Sequence, residues 1–511
     1  MPLAFLLPLG CATGLTVVGL LPVTAQTPPL QWAVFGAAIG LAVWTLWLGC
    51  QVTRRSRVLA VRGSWRPQHY IQASAQLSVL LYWGWYWREV YAAVHLFGAQ
   101  LLFAYGFDLL LTWSRRDRYR LGFGPVPVVF SLNLFLWFRA EWFAWQFATI
   151  ALGFMVKEFC RWERDGRRVH IFNPSSFPLA VCAVGLIMTD TTELTWGQEI
   201  ATTLNEAPHI YALIFLVSLP AQLRFGVATM TMSAVLTMYL FGLAYYTWVG
   251  TFYFVDAYIP IAVFLGMHLL FTDPSTSPRT ERGRVLFGVL YACSVVALYA
   301  VLGALGAPTF YDKLLAVPVM NVLVRGIDRV VRSGPPGAVA SLPIPAAVAG
   351  PRRRMLQVGL WIVVFVAMSA ARGVGDTHRG QWVTFWRQAC HESRLHGCRQ
   401  FGLLVSTYCE RGSGWACNEY ALLVQPERRP QLATDLFRRA CELDFRIGCL
   451  NLDAGGVDVP RAAPPMLVDY AIVLREGSDS VVARTPLETY RMACTEGFVD
   501  GCRRASRLER N

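Results

Sequence analysis

Two short polar sequences interrupt the hydrophobic part of this chain and carry side chains suited to binding a ligand. The first is "RVHIFNPSSFP" at residues 168–178, and the second is "FTDPSTSP" at residues 271–278. Proline lacks an N–H group and disfavours helix in the preceding residue, so each sequence predicts the end of a helix. Asn173 and Asp273 are then expected to cap the helix that follows each proline. Alternatively, the two helix N-termini point at an anionic ligand or at a cofactor phosphate.

Three further polar residues lie within or beside apolar segments, where they are costly and are usually paired or functional. Lys157 and Glu158 stand at the inner end of a predicted span. Adjacent residues do not face each other on a helix, so no mutual ion pair is expected. Lys157 either extends its ammonium group to the membrane interface or contributes to a polar site. His268, in "GMHLLF", is either a buried, hydrogen-bonded histidine or a group for proton transfer or ligand contact.

The composition predicts a polytopic membrane protein. Of the 511 residues, 55% are hydrophobic and 15% are charged, whereas soluble domains have about 25% charged residues. The net charge is +13, and the arginines cluster in short loops such as "TRRSR", "SRRDRYR" and "RWERDGRR". Loops of this kind stay on the cytoplasmic side of a membrane. The charge therefore predicts topology rather than nucleic-acid binding, with anionic lipid or a partner as the alternative ligand of these loops.

Apolar segments predict thirteen candidate spans, some of them broken or re-entrant because they are short. They lie near 3–24, 30–52, 73–87, 91–113, 124–138, 142–160, 175–189, 209–223, 226–249, 256–272, 285–305, 314–331 and 355–371. The basic loops then share one face, and Asp190–Ala207 lies on the other with residues 373–511. The first segment could be a signal peptide, but it lacks a basic n-region, so a retained span is expected.

The predicted fold class is all-α, with a transmembrane bundle containing broken helices and a helical extracytoplasmic domain. A linker rich in Pro, Ala and Gly, "SGPPGAVASLPIPAAVAG", separates the main membrane body from one last span. The predicted parts are an N-terminal hairpin with a basic loop (1–72), the body (73–332), the linker (333–354), the final helix (355–372) and a cysteine-rich domain (373–511).

Eight of the thirteen cysteines form four pairs of one spacing near the C-terminus. Their sequences are "CHESRLHGC", "CERGSGWAC", "CELDFRIGC" and "CTEGFVDGC". Positions eight apart in one helix are about 12 Å distant, whereas the Cα atoms of a disulfide lie within about 7 Å. The two cysteines can meet if the chain turns back between them. Zinc is the rival interpretation, but its paired ligands usually lie two to four residues apart, so no metal is expected.

This spacing resembles the cysteine-rich Sel-one-like repeat family, over about residues 382–506. The best copy is "FRRACELDFRIGCLNL". The resemblance implies helix pairs, each joined by one disulfide, namely Cys390–Cys398, Cys409–Cys417, Cys441–Cys449 and Cys494–Cys502. Such bridges need an oxidising compartment, which agrees with the charge-based topology and predicts a bacterial inner-membrane protein with a periplasmic tail. Stacked helix pairs of this TPR-like type commonly offer a concave surface to a protein partner.

Residues 92–332 resemble the NqrB/RnfD family of membrane subunits. The matching elements are "GFMVKEF" before a loop ending in "NP", then "TDPSTS" with a following "GR", then a late Asn and "IDR". The resemblance implies an electron-transfer subunit, embedded among redox-complex subunits and coupled to ion movement. It also implies a flavin mononucleotide esterified to an outer-loop threonine, and Thr202 in "IATTL" is the loose counterpart. The pattern that a flavin transferase needs is missing, so Thr202 is otherwise an ordinary loop residue, and bound FMN, riboflavin or quinone are the alternatives.

Two other functions remain open beside electron transfer. One is a channel or transporter that shares the broken helices but has no redox centre. The other is a membrane-anchored scaffold, whose repeats bind a protein partner outside the cytoplasm. The sequence shows no haem motif, iron–sulphur spacing, nucleotide-binding glycine loop or serine-type triad, so no enzyme class is assigned. The missing flavin attachment pattern weakens the redox hypothesis, and the fused repeats favour the scaffold.

Overall fold

The computed structural model describes residues 3–164, 166–333, 350–410, 412–424, 429–443 and 445–453, together with positions 491, 506 and 509. It divides into two compact units. The first comprises Met1–Met238 and Ile261–Ala371, and the second comprises Tyr239–Pro260 and Arg372–Asn511. Most of the predicted linker, 334–349, lies outside the described residues.

The first unit is built almost entirely of helices. They are α1 (Leu6–Leu20), α2 (Pro22–Ala25), α3 (Pro28–Arg54), α4 (Pro67–Tyr86), α5 (Glu89–Ala92), α6 (Val94–Arg115), α7 (Pro125–Phe135), α8 (Ala144–Phe159), α9 (Ser176–Thr189), α10 (Gly197–Glu206), α11 (Ile210–Phe225), α12 (Ala228–Val249), α13 (Ile261–Leu269), α14 (Glu281–Ala304), α15 (Asp312–Ser333) and α16 (Gly350–Ala370). Helix α12 continues into the second unit. The strongest packing joins α1 to α3 and α6, and α15 to α9 and α14.

The helices confirm the predicted all-α, multi-pass membrane class. Among the described residues, five helices are long and apolar enough to cross a membrane: α3, α6, α12, α14 and α16. Helices α10 and α11 form a sixth candidate, bent by 101° at its break. Several predicted spans are shorter helices, and the segment predicted at 256–272 contains only the nine-residue α13. Such short or bent helices are expected where the backbone is buried in protein rather than exposed to lipid.

A buried polar network supports one of these broken helices. Helix α7 ends at Phe135, and the extended residues that follow need hydrogen-bond partners for their backbone groups. The N–H of Phe138 donates to Gln146 Oε1 at 3.1 Å, and Gln146 Nε2 donates to Gln100 Oε1 at 3.1 Å. Asn133 Nδ2 donates to the same Gln100 oxygen at 2.7 Å. Gln146 of α8 therefore satisfies one backbone group left free by the end of α7, and side chains of α6 and α7 hold Gln146 in place.

Two small sheets lie in the arginine-rich loops. Strands β1 (Ala60–Gly63) and β2 (Arg118–Leu121) are parallel, with Ala60 opposite Arg118 and Arg62 opposite Arg120. Strands β3 (Arg161–Arg164) and β4 (Arg167–His170) form an antiparallel hairpin directly before the first proline interruption. The loops predicted from charge alone are thus ordered by short backbone ladders.

The second unit contains helices α17 (Val383–His391), α18 (Gly397–Glu410), α19 (Gly414–Leu423), α20 (Pro430–Glu442) and α21 (Arg446–Asp453). Its core joins side chains from these helices to Phe252, which belongs to the segment between α12 and α13. Phe252 lies 4.7 Å from Phe385 between ring centroids. Phe252 lies between the spans predicted at 226–249 and 256–272, so a segment that connects two predicted spans supplies an apolar side chain to this helical core.

Disulfides join consecutive helices of the second unit. The structure contains Cys390–Cys398, Cys409–Cys417 and Cys441–Cys449, with Cα–Cα distances of 4.2, 4.5 and 4.5 Å. Each bridge joins the end of one helix to the beginning of the next, so the chain does turn back between the paired cysteines. The fourth predicted pair, Cys494–Cys502, lies outside the described residues.

The glycine before the second cysteine of two bridges, Cys390–Cys398 and Cys441–Cys449, has a steric explanation. A Cβ atom on Gly397 would lie 2.6 Å from the carbonyl carbon of Ala389, and one on Gly448 would lie 2.5 Å from the Ala440 Cβ. Contacts this short do not occur between ordinary side chains and backbone. Glycine at these positions therefore lets the second helix approach the first closely enough for the bridge.

Candidate functional site

A large cleft in the first unit brings several of the predicted site residues together. Its volume is about 1220 Å³, and Lys157, Asn173 and Asp273 all line it. The lining also includes β1 and β2 residues, the end of α8, and both Asx-Pro-Ser sequences. We call this feature the arginine cleft, after its lining residues Arg62, Arg66, Arg116, Arg118, Arg120, Arg161, Arg168 and Arg224.

Asn173 forms the turn of the first interruption. Its Oδ1 accepts hydrogen bonds from the Ser175 N–H at 2.9 Å and from the Ser176 N–H at 3.2 Å, directly before α9 begins. Its Nδ2 donates to the Leu270 carbonyl at 2.9 Å, and its own N–H donates to Asn321 Oδ1 at 3.0 Å. Asn173 thus accepts from the N–H groups just ahead of it, as expected, although Ser175 holds the N-cap position of α9. Through its side chain and its backbone N–H it also connects the start of α9 to the residue after α13 and to the middle of α15.

Asp273 forms a similar local turn, but the chain after this turn is not helical. Its Oδ1 accepts from the Ser275 N–H at 2.9 Å, but no helix begins after Pro274. Helix α14 begins only at Glu281, where Thr280 is the cap and accepts from the Gly283 N–H at 3.1 Å. The expected helix start after the second proline was therefore wrong. A further proline at 278 disfavours helix in the residue before it.

The Asp273 carboxylate also has a partner from the neighbouring hairpin. His170 Nε2 lies 3.1 Å from Asp273 Oδ2. Burial raises the pKa of the Asp273 carboxyl group, but hydrogen bonds from His170 and Ser275 outweigh burial and lower the pKa overall. Asp273 is accordingly ionised at neutral pH and contributes negative charge to the base of the cleft.

Lys157 lies half-buried in the last turn of α8 and lines the cleft. Its Nζ lies 5.4 Å from the centre of the Phe154 ring. The neighbouring Glu158 does not pair with it and is instead contacted by Arg115, Arg116 and Arg161. The absence of a mutual pair agrees with the sequence analysis, and Lys157 presents a cation to the cleft.

His268 and Thr202 do not line the cleft. His268 is fully buried in α13, and its Nδ1 lies 2.7 Å from the Phe264 carbonyl oxygen. Its Nε2 has no hydrogen-bond partner among the described residues. Thr202 is exposed on α10, and its hydroxyl donates to the Gln198 carbonyl at 3.0 Å. The structure therefore separates these two residues from the other three.

A buried ion pair beside the cleft was missed as a site by the sequence analysis. Arg164 Nη2 lies 2.5 Å from Asp328 Oδ2, and Arg164 Nη1 donates to the Ser277 carbonyl at 2.9 Å. The other Asp328 oxygen accepts from the Arg279 N–H at 3.2 Å. Asp328 belongs to the "IDR" element. Its position as an acidic residue within a predicted span could have marked it as paired or functional. The pair fixes the β-hairpin and the second interruption to α15.

His69 was also missed, because its helical position carries no local signal. It precedes the predicted span at 73–87 and lines the cleft. Burial, with Lys157 and Arg66 nearby, lowers the pKa of His69 to about 4. The imidazole is therefore neutral at physiological pH, although it faces a site that contains many cations.

Comparison with known protein families finds a match to part of the chain. No curated protein and no solved structure matches the chain. The family match covers less than half of the chain, begins later than the resemblance read from the sequence, and excludes the cysteine-rich tail. It includes all five residues singled out above: Lys157, Asn173, Thr202, His268 and Asp273. Over residues 137–337 the chain is similar to the NQR2, RnfD, RnfE family, which supports an integral membrane subunit of an ion-translocating electron-transport complex.

Proposed function

We propose that this protein is an electron-transfer subunit that holds a flavin or quinone and works with partner subunits to move ions across a bacterial inner membrane. The observation that carries the proposal is the family match over residues 137–337, because it includes every candidate site residue. The arginine cleft is the candidate binding site for this cofactor, since three of those residues line it.

The residues of the cleft suit a ring system that carries polar or anionic groups. A flavin or quinone would supply the reversible electron chemistry that amino-acid side chains lack. Phe154 and Val128 line the cleft and would pack against the ring, while the Lys157 ammonium group would bind an anionic oxygen. The Ser175 hydroxyl donates to Asn173 Oδ1 at 2.8 Å and the Ser275 hydroxyl bonds to Asp273, so each hydroxyl oxygen would accept a hydrogen bond from the ligand rather than donate one.

Thr202 is the alternative, covalent site. Its hydroxyl group is exposed and donates to Gln198, so a phosphate ester there would replace only one hydrogen bond. The two sites differ in a measurable way, because an ester-linked flavin stays on the denatured chain and a bound flavin does not.

The test is the absorption spectrum of the full-length protein in detergent, followed by fluorescence of the denatured protein in a gel. We expect a yellow protein whose colour is lost on denaturation, with K157M holding less flavin and T202A holding as much as the wild type. Fluorescence that survives denaturation and disappears in T202A assigns the covalent site. A protein without flavin, whose organic extract also contains no quinone, contradicts the proposal.

A second candidate function is a scaffold, in which the tail acts as a Sel-one-like repeat domain that binds a protein partner in the periplasm. The observation that favours it is the set of three bridged helix pairs, because such bridges persist in oxidising compartments. Protease added to right-side-out spheroplasts should cleave the tail, and protease added to inverted vesicles should not. The reverse pattern would exclude a periplasmic tail.

A further inference from the structure

The arginine cleft contains more positive charge than its own carboxylates balance. Its lining contains nine cationic residues, the eight arginines and Lys157, but only four acidic ones. The acidic residues are Asp108, Asp117, Glu158 and Asp273. A lining of this composition attracts anions, and its low-dielectric walls strengthen that attraction.

The four carboxylates are already engaged. Glu158 pairs with three arginines, Asp117 with Arg57 at 2.7 Å, and Asp273 with His170. Asp108 accepts a hydrogen bond from the Tyr119 hydroxyl at 3.1 Å. Among the described residues, no ion pair involves the remaining cationic side chains, which are Arg62, Arg66, Arg118, Arg120, Lys157, Arg168 and Arg224.

The sheet of β1 and β2 holds several of these charges close together. Arg62 lies directly opposite Arg120 in the parallel register, and Arg118 lies two residues away on the same face of β2. Like charges at opposed positions of a sheet destabilise it. Tyr119 points the other way and is buried, which fixes the face that the arginines occupy. An anion between them would relieve their repulsion.

The approach of the two loops is fixed by a glycine. A Cβ atom at Gly122 would lie 2.3 Å from the Ser64 carbonyl oxygen, so only glycine fits there. The Ser64 N–H donates to Leu121 O at 2.8 Å and extends the ladder toward the cleft. Both Ser64 and Gly122 line the cleft. The arginine pair is therefore carried on ordered backbone rather than on loose loops.

The residues present indicate what kind of anion fits. Guanidinium groups bind phosphate oxygens through paired hydrogen bonds, and a lysine ammonium adds a compact charge. The volume of about 1220 Å³ exceeds that of one phosphate and the roughly 300–1,000 Å³ of common ligand pockets, so the cleft has room for a phosphate that carries further groups. Neutral His69 adds a hydrogen-bonding group without adding repulsion among the cations.

We propose that the arginine cleft binds a phosphate group, of an anionic phospholipid headgroup or of a soluble phosphate ester, through Arg62, Arg120 and Lys157. The site lies in the cleft proposed above for the flavin or quinone and shares Lys157 with it, so the inference names a ligand group of that same site. A colourless protein that still binds the phosphate probes would contradict the proposed cofactor and leave this inference standing. Both ligand sources present the same phosphate oxygens to the arginines, and the experiment distinguishes them.

The experiment uses the full-length protein in neutral detergent at low salt. One arm titrates inorganic pyrophosphate by calorimetry, and the other counts retained phosphatidylglycerol against phosphatidylcholine by native mass spectrometry. The variants are R62Q/R120Q and the matched control R54Q/R55Q, which removes two exposed arginines of the same basic loop outside the cleft. R62K/R120K keeps the charge but loses the paired hydrogen bonds.

We expect the wild type and R54Q/R55Q to bind one probe with equal affinity. R62Q/R120Q should bind it at least about tenfold more weakly, and the affinity of R62K/R120K should lie between those of the wild type and R62Q/R120Q. Preferential retention of phosphatidylglycerol identifies a headgroup site, and binding of pyrophosphate alone identifies a soluble ligand. Binding of neither probe by the wild type overturns the proposal, as does equal weakening in R62Q/R120Q and R54Q/R55Q. Monodisperse elution of R62Q/R120Q, with the melting temperature of R62K/R120K, shows that its loss of binding is not misfolding.

Discussion

His170 and Asp273 join the two proline interruptions, with 3.1 Å between His170 Nε2 and Asp273 Oδ2. His170 ends strand β4 and lies within the first interruption, three residues before Asn173, and Asp273 lies within the second, one hundred residues after Asn173. Both Asx-Pro-Ser turns line one cleft, which Lys157 also lines. The shared cleft therefore depends on a polar contact between loops as well as on helix packing.

Replacement of Asp273 separates its two roles. D273A removes both the acceptor for the Ser275 N–H and the partner of His170, and we expect a loss of about 1–3 kcal/mol in the free energy of unfolding. D273N keeps the turn acceptor and should lose less. Thermal unfolding of the full-length protein in detergent measures both. Equal losses in the two variants would show that the turn geometry contributes nothing.

The buried pair of Arg164 and Asp328 should be far more sensitive than an exposed one. Both side chains are less than a tenth exposed, so D328A leaves a buried guanidinium without its carboxylate, at a cost of about 3–5 kcal/mol. The control is D435A, which breaks the exposed pair Asp435–Arg438 and should cost at most about 1 kcal/mol. Comparable shifts in melting temperature would contradict the burial argument.

The sequence predicted those features of the site that depend only on residues close together in the chain. The turn at Asn173 and the missing pair between Lys157 and Glu158 follow from backbone geometry within a few residues. The helix expected after Asp273 failed because a second proline, four residues on, prevents it. Pro278 is visible in the sequence, and its effect on the backbone opposes the helix start that the Asp273 turn favours.

Properties that depend on long-range packing were not predictable in the same way. Hydropathy cannot tell an aromatic residue that faces lipid from one in the core of another unit, and Phe252 was therefore counted with the membrane body. His69 and His170 carry no pattern that marks them as neighbours of the two interruptions. Their positions follow from the packing of distant helices, which a single sequence does not specify.

Gly380 packs against the segment between α12 and α13 so closely that no side chain fits at position 380. A Cβ atom there would lie 1.9 Å from the Val255 carbonyl oxygen, and backbone atoms cannot rotate away. We expect G380A to destabilise the second unit by roughly 1–3 kcal/mol. Limited proteolysis of the full-length protein should then cut the tail faster.

The matched control is G359A in α16, where a new Cβ has nothing within 4 Å. Glycine-to-alanine changes in unstrained helix should be neutral or stabilising by up to about 1 kcal/mol. Unchanged proteolysis in G380A would show that the close approach to Val255 is absent in solution.

Loss of one bridge should loosen the tail. Removal of a native disulfide commonly costs about 2–5 kcal/mol, so C441A/C449A is expected to make the tail more protease-sensitive while the membrane unit keeps its melting behaviour. Alkylation of the untreated wild type should leave these two cysteines unlabelled until a reductant is added. Free labelling of either one would exclude the bridge.

Acidification should destabilise the second unit through His378. Its ring lies 4.2 Å from Phe252 and 4.6 Å from Tyr258 between centroids, and burial lowers the pKa of His378 to about 3. An unfolded chain binds the proton near pH 6.5. The stabilising contribution of neutral His378 is therefore complete above about pH 6.5 and is lost as pH falls toward 3, by up to about 1.4 kcal/mol per pH unit.

The variant that isolates this effect is H378N, because its amide oxygen can still accept from the Gly380 N–H, as His378 Nδ1 does at 3.1 Å. Proteolysis of the tail in the full-length protein, measured between pH 7 and pH 4.5, should accelerate more steeply in the wild type than in H378N. The difference between the two proteins separates His378 from carboxyl groups that titrate in the same range. Parallel pH profiles would mean that His378 is accessible to protons in the folded tail.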